Sequence, residues 1–304
     1  MELVLNGSNT GRNAVKVAAI SVGGERRIGL VDEKRETVAP FDLPAQEAAE
    51  GVVALIGREQ LPRTLSPLPF REIALEAPIP RPRRNIFCVG KNYHEHAHEF
   101  AASGFDSSAA SGAVPKHPII FSKVPECVVA HRTPVRIDAR VTQAVDYEAE
   151  LGVIIGKGGR GISRADALSH VWGYTVINDV TARDLQGRHS QWLIGKSQDT
   201  FGPMGPWAVT ADEIDLADTS VKCWVNGELR QNANTRDLIF DVPAIIATIS
   251  EGITLQPGDV IATGTPAGVG IGFKPPKYLA PGDVVRIEIG GVGVLENRFE
   301  EARA

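Results

Sequence analysis

The sequence predicts a mixed α/β, β-rich fold: a small N-terminal β domain over residues 1–78, then a mixed β-roll or barrel-like sheet over residues 79–304 that carries the chemistry. Three observations lead there. Short apolar segments of strand length recur along the 304 residues, punctuated by 31 glycines and 20 prolines. Only one strand–helix–strand unit is recognisable, too few for a doubly wound parallel sheet. Pro62, Pro67, Pro69, Pro78, Pro80 and Pro82 gather in one stretch that reads as an extended crossing, which places the boundary at 78.

The elements follow in order. VKVAAISV, RRIGLVDE and ETVAPF alternate between turn signals, the first at Gly23–Gly24, and read as a β meander. AQEAAEGVVALIG has a helical pattern. Beyond the prolines, RNIFCVG is a strand ending at Gly90, and NYHEHAHEFAAS is helical. Residues 102–116 are small and polar, bury too little apolar surface to stay rigid alone, and read as a loop able to act as a lid. PIIFSKV and VDYEAELGVIIG are strands, ISRADALSHVW a helix, and WGYTVIND a strand. VKCWVNGEL carries an Asn-Gly hairpin turn, and DVIATGT, DVVRIEIGG and GVGVLENRF complete the β-rich remainder.

Composition excludes several classes. A net charge of −5 leaves no electrostatic footprint for nucleic acid. No run approaches the ~18 apolar residues of a membrane span. The start, MELVLNGSNTGRNAVKV, lacks the basic and apolar regions of a secretory signal. Cys88, Cys127 and Cys223 lie far apart without a CxxC pair, which suits a reducing, cytoplasmic compartment and buried thiols. The expected partner is a small molecule.

VDYEAELGVIIG is the most informative segment. Glu148 and Glu150 stand two apart in a strand and so share a face. Two carboxylates beside an apolar run repel one another and call for positive charge between them, unless that strand end is solvated. Asp179 ends a second apolar strand; if the two strands are neighbours, three carboxylates converge. Three hard oxygen donors suit one Mg²⁺ or Mn²⁺ rather than Zn²⁺. Capping of the TARDLQG helix is the other role open to Asp179.

In NYHEHAHEF the three histidines spread around a helix and cannot share one site. His96 and Glu99 are i and i+3, close enough for the carboxylate to orient the imidazole as a general base, while His94 and His98 read as exposed. Lys196, between an apolar stretch and a Gly/Pro loop, can meet a substrate carboxylate or a developing enolate, or snorkel at the surface. Arg183 and Gln186 lie one helical turn apart after Asp179, directed at a metal's ligand or paired with Asp184 and solvent.

IIGKGGRG contains a literal GxGxxG at Gly156, Gly158 and Gly161, with Asp179 18 residues further on, so a dinucleotide-binding oxidoreductase is a competing reading. It lacks further βαβ units, its strand carries two glutamates, and Ser163 reads as the helix N-cap, too late to present a first turn to a pyrophosphate.

The segments CVGKNYHEHAHE, PIIFSK, DYEAELGVIIGK, GYTVINDVTARDLQ, IGKSQDTFGPMGPW, VNGELRQNANT, LQPGDVIATGTPAGVG and PGDVVRIEIGGVG run in order from about residue 84 to 299 and resemble the fumarylacetoacetate hydrolase family. The resemblance implies a family-type catalytic domain with a metal on Glu148, Glu150 and Asp179, and a His96–Glu99 pair that activates water. It also implies substrate contacts from Arg183, Gln186, Lys196 and Thr265, and a homodimer; the mechanism expected from it has Lys196 stabilise negative charge on an oxygen in the transition state. The long animal enzymes of tyrosine breakdown place an extra aspartate ligand before the catalytic histidine. FCVGKNYH has no acid there, so the chain resembles the acylpyruvate and fumarylpyruvate branch. The expected activity is hydrolysis of a C–C bond in a small 2,4-dioxo acid. The alternative is isomerisation (tautomerisation) or decarboxylation of a 2-oxo diacid on the same scaffold.

Overall fold

The computed structural model describes residues 15–102 and 114–302. Of the expected lid over 102–116, residues 103–113 lie outside them. The N-terminal meander forms as expected: β1 (Lys16–Val22), β2 (Glu25–Asp32) and β3 (Thr37–Pro40). The helical pattern that follows yields only α1 (Ala45–Ala48) and a 3₁₀ turn over Gly51–Leu55. Gly51 breaks it, with φ at 64° and the Pro78 carbonyl packed where a Cβ would stand.

Short strands β4 (Leu68–Pro69) and β5 (Ala74–Glu76) lead to β6 (Ile86–Gly90), α2 (His94–Ala102) and β7 (Ile119–Lys123). Then come β8 (Val128–Val129), β9 (Val135–Ile137), β10 (Val145–Asp146), β11 (Ala149–Ile155), β12 (Val171–Asn178) and β13 (Thr181–Ala182). Two short helices, α3 (Arg183–Arg188) and α4 (Leu193–Lys196), precede β14 (Gly202–Thr210) and the hairpin β15 (Ser220–Val225) and β16 (Glu228–Asn234). That hairpin turns at Asn226–Gly227, both at positive φ. α5 (Val242–Ser250), β17 (Val260–Ala262), β18 (Val284–Ile289) and β19 (Gly293–Glu301) follow. The sequence reading missed α5, although Asp241 caps it by accepting the Ala244 N–H and Pro243 sits in its first turn.

The strands make a twelve-stranded sheet in the order β4-β3-β2-β1-β14-β12-β11-β17-β6-β7, with β5 beside β1 and β8 beside β14. A five-stranded sheet, β16-β15-β18-β19-β9, and the small pair β10-β13 accompany it. The fold is therefore mixed α/β and β-rich, without closure into a barrel among the described residues. The large sheet runs on across residue 78, because β1 pairs with β14. Apolar side chains cover it: Ile20, Val153, Val176 and Ile261 belong to one packed core, and Ile28, Ile154, Ile177 and Met204 to another.

One expectation is corrected. ISRADALSHVW forms no α-helix, only a 3₁₀ turn over Ala167–His170. β11 and β12 are antiparallel neighbours, so the connection over residues 156–170 makes no crossover and needs no helix, as a βαβ unit would. Gly158 serves packing, since a Cβ there would press on the Leu255 carbonyl. The glycine-rich segment thus turns an antiparallel pair and presents no helix N-terminus to a dinucleotide.

Candidate metal centre

The pairing that removes the dinucleotide reading also gathers the acids. Ala149 on β11 lies opposite Asn178 on β12, so Glu148, Glu150 and Asp179 meet at one end of this strand pair. Glu148 stands in the break between β10 and β11 rather than in a continuous strand. There its N–H donates to Asn178 Oδ1 at 3.0 Å, and its carbonyl accepts the Asp179 N–H at 2.9 Å. These bonds hold the two acid-bearing backbones together. All three carboxylates are buried, and each offers an oxygen within 4.8 Å of the others. They are not a solvated strand end, and Asp179 does not cap α3, whose N-cap is Ala182.

Three cations surround the cluster. Lys196 Nζ lies 2.8 Å from Glu148 Oε2 and 2.8 Å from Asp179 Oδ2. Arg183 Nη1 lies 2.7 Å from Glu148 Oε1, and Lys123 Nζ 2.8 Å from Asp179 Oδ1. Burial alone would raise the Glu148 carboxyl, but Lys196 and Arg183 outweigh it and bring its pKa down to about 2. Glu150 differs. Burial and the charges of Asp179 and Glu148 push its carboxyl well up, against the weaker pull of Lys196 and the Gly264 N–H, which donates to Glu150 Oε2 at 2.8 Å. An acid raised by its two acidic neighbours is what a divalent cation would relieve, and an all-carboxylate donor set suits Mg²⁺ or Mn²⁺. The residues fit such an ion.

His96 is buried on α2 while His94 and His98 are exposed. Its Nδ1 lies 3.2 Å from Glu99 Oε2, and Glu99 in turn accepts the Gly268 N–H at 3.0 Å. His96, Glu148, Glu150, Arg183, Gln186, Lys196 and Thr265 line one cavity. Lys196 is therefore no snorkelling surface lysine. Thr265 is buried, and its Oγ1 accepts from Gln231 Nε2 at 2.8 Å. Arg183 bonds Asp146, Glu148 and Gln186 rather than Asp184, and its buried Nη2 has no hydrogen-bond partner. A buried guanidinium donor without a partner beside three acids is suited to a carboxylate ligand.

Sequence reasoning missed several groups. Asp146 accepts from Arg183 Nε at 2.8 Å and from the Gly270 and Ile271 N–H groups at 2.6 and 3.0 Å, tying the 268–272 loop to the arginine. Its signal was visible: Asp146, Glu148 and Glu150 alternate. Lys123, fully buried, also donates to the Val180 carbonyl at 3.1 Å and to the Lys196 carbonyl. Its signal was the apolar run IIF just before it, the same sign that marks Lys196. Lys91, Phe100, Phe121 and Trp192 complete the cavity wall, and Trp192 packs edge-on against both phenylalanines.

The chain is similar to several known proteins. A family model described as fumarylacetoacetate (FAA) hydrolase, C-terminal, matches residues 85–300. Oxaloacetate tautomerase YisK of Bacillus subtilis (strain 168) is 49% identical over 229 residues, 75% of this chain and 73% of that protein. The mitochondrial oxaloacetate tautomerase FAHD2A of Homo sapiens is 43% identical over 246 residues, 80% of this chain and 74% of that protein. Among solved structures, the fumarylacetoacetate hydrolase of Exiguobacterium antarcticum superposes with a TM-score of 0.81 at 40% identity, covering 95% of this chain and 100% of that one. Maleylpyruvate hydrolase of Sphingobium sp. SYK-6, in complex with manganese(II) and pyruvate, gives 0.73 at 31% identity, covering 95% and 100%.

Proposed function

The chain belongs to the fumarylacetoacetate hydrolase family and is an enzyme of that superfamily, and from this premise we propose that it is a divalent-metal-dependent tautomerase of a small 2-oxo diacid of the oxaloacetate kind. The observation that carries the choice of reaction is the identity of 40–49% to relatives named oxaloacetate tautomerases, up to 49% for one of them, against 40% and 31% to the two solved structures named hydrolases. This favours the isomerase alternative over the hydrolysis expected from the dyad alone.

Glu148, Glu150 and Asp179 would hold the cation, which would supply Lewis-acid polarisation of the 2-oxo group. Arg183, through its unpartnered Nη2, and Gln186 and Thr265 would bind and orient the substrate's carboxylate end. His96, held by Glu99, would take the enol O–H proton and deliver a proton to C3 in ketonisation, and in the reverse direction would take the C3 proton and deliver it to the 2-oxo oxygen, so that atoms balance with no water consumed. Lys196 would offset the negative charge that builds on that oxygen. The ring wall of Phe100, Phe121 and Trp192 would exclude bulk water.

Hydrolysis of an acylpyruvate or fumarylpyruvate is the second reading. The same dyad could activate water, and the structural neighbour at 31% identity is a hydrolase with manganese and pyruvate bound. The test follows enol-oxaloacetate and a panel of acylpyruvates by loss of enol absorbance with product identification, with and without Mg²⁺ or Mn²⁺. Metal-dependent ketonisation without C–C cleavage supports the tautomerase; cleavage products from an acylpyruvate at a higher kcat/KM support the hydrolase.

Two coarser proposals accompany this one. Residues 1–78 would be a small N-terminal unit flanking the catalytic residues 79–304, which is supported by a family match that begins at residue 85. The protein would work as a homodimer in the cytoplasm. The three buried, unpaired cysteines are consistent with a reducing compartment, and no helix among the described residues is long and apolar enough to cross a membrane. Mass measurement in solution tests the dimer.

A further inference from the structure

β16 is an edge strand of the five-stranded sheet, and the one residue it buries is a glutamine, Gln231, which is fully enclosed. An apolar side chain is the ordinary choice for such a position, because a buried amide must find a partner for each polar atom. The strand is irregular there. Gln231 lies opposite Cys223 and Leu229 opposite Trp224, so Arg230 is an extra residue on β16. A bulge of this kind turns a neighbouring side chain off the regular pleat. The loop after β17 packs directly on the bulge: a Cβ on Gly268, which has φ at 100°, would overlap the Arg230 carbonyl.

The amide finds its partners in two places. Its Oε1 accepts the Ala149 N–H at 3.1 Å, and its Nε2 donates to the Pro266 carbonyl and to Thr265 Oγ1, both at 2.8 Å. The Ala149 N–H can only donate and the Pro266 carbonyl can only accept, so the amide has one orientation. Gln231 thereby joins the backbone between Glu148 and Glu150 to the loop that bears Thr265.

That orientation fixes the threonine in turn. Thr265 is 2% exposed and lines the cavity with Glu148, Glu150, Arg183 and Lys196. Its oxygen receives the Gln231 N–H, so its own hydrogen points away from Gln231. Among the described residues, the only side-chain hydrogen bond of Thr265 is the one it accepts. A buried hydroxyl in that state is a donor for an anionic oxygen. An acceptor in place of the Gln231 Nε2 would reverse it: the hydroxyl would donate backwards and meet a carboxylate with lone pairs, which repel it.

We propose that Gln231 is a positioning residue of this site, setting the Thr265 hydroxyl as a hydrogen-bond donor to the carboxylate of a bound 2-oxo acid. The proposal rests on the reading that a 2-oxo acid binds beside the Glu148–Glu150–Asp179 cluster, and it adds how one contact acquires its polarity. Gln231 itself stands behind the cavity wall.

The test measures binding rather than turnover. Mn²⁺-loaded proteins are titrated calorimetrically with pyruvate, the smallest 2-oxo acid. Thr265→Val should weaken pyruvate binding about tenfold, the worth of one hydrogen bond to a charged group. Gln231→Glu keeps the acceptor for Ala149 but offers at most one proton where glutamine offers two. The Pro266 carbonyl, the stronger acceptor, draws that proton, so Thr265 donates to the glutamate. Gln231→Glu should therefore cost about as much as Thr265→Val. The two together should bind within about twofold of Thr265→Val alone, because they remove one interaction. Thr265→Ser keeps the hydroxyl and should bind within about twofold of wild type; adding Gln231→Glu to it should again cost about tenfold. Mn²⁺ affinity should stay within about threefold throughout. Where Gln231→Glu yields no folded protein, Gln231→Met replaces it; this variant should also weaken pyruvate binding, and have no further effect once Thr265 is replaced by valine. Losses that multiply in the double variant, undiminished pyruvate binding in either single variant, or a loss of Mn²⁺ affinity matching the loss for pyruvate would each overturn the proposal. A Mn²⁺-loaded wild type that binds no pyruvate would strike the underlying reading as well, which separates the two failures.

Discussion

Gly272 abuts the Glu99 carboxylate so closely that a Cβ on the glycine would overlap Oε1, Cδ and Cγ of the glutamate. The loop after β17 is therefore moulded around the residue that orients His96, and the Gly268 N–H bonds that same carboxylate at 3.0 Å. A substitution far from the proposed metal ligands in sequence should thus act on the proposed acid–base pair.

Gly272→Ala is expected to displace Glu99 and cost about tenfold to a hundredfold in kcat, part of the 10²–10⁴ that a positioned general base contributes. Mn²⁺ affinity should change by less than about twofold, because none of the three carboxylates touches Gly272. Steady-state kinetics and a Mn²⁺ titration of the same preparation check both halves. A loss of metal affinity as large as the loss of kcat would contradict this account.

Lys196 and Lys123 should separate catalysis from stability. Lys196→Ala removes the ammonium shared by Glu148 and Asp179 and exposed to the cavity. It should lower kcat by about 10²–10³, as loss of a preorganised charge does. Lys123 lies behind Asp179 and is not a cavity-wall residue, so Lys123→Met should act through folding. It leaves a buried carboxylate without one partner, a change that costs about 3–5 kcal/mol. Thermal unfolding with and without Mn²⁺ measures it, and the ion should recover part of the loss. An unchanged Tm in Lys123→Met would refute the assignment.

His131 sets an acid limit on stability. Its Nδ1 accepts the Glu296 N–H at 3.1 Å, and burial, then the neighbouring Arg132 charge, lowers its pKa from 6.5 to about 4. The unfolded chain therefore takes up this proton at a higher pH than the folded chain. The group's contribution is whole above pH 6.5 and is lost as pH falls toward 4, by on the order of 2 kcal/mol. His131→Gln, which keeps an acceptor and does not titrate, should show a smaller loss of stability between pH 7.5 and 4.5 in denaturant melts. Equal losses in both proteins would contradict it.

Much of this was legible in the residues and some was not, for physical reasons. Strands with clear alternation and turn glycines, such as Lys16–Val22 and the Asn226–Gly227 hairpin, are read directly from side-chain period and backbone tolerance. Glu148, Glu150 and Asp179 stood out because acids at the end of apolar strands must be compensated. ISRADALSHVW misled because local helical pattern yields to tertiary context: an antiparallel pair needs no crossover helix, and the connection keeps only the 3₁₀ turn over Ala167–His170. Asp146 and Lys123 went unseen because their partners, Gly270 and Asp179, lie 124 and 56 positions away. The turn at Lys91 gave no sign either: its backbone is left-handed, with φ at 53°, beside Asn92, whose Oδ1 accepts the N–H of Phe240, 148 positions on.

The central claim is that three acids from neighbouring strands hold one divalent ion that serves a 2-oxo acid. Electron paramagnetic resonance titration of Mn²⁺ tests it most directly. Wild type should bind one Mn²⁺ per chain, Glu148→Ala and Asp179→Ala should lose it, His96→Ala should keep it, and 2-oxo acid should perturb the bound-ion spectrum. A wild type that binds no Mn²⁺, or a Glu148→Ala protein that binds it undiminished, would contradict the account.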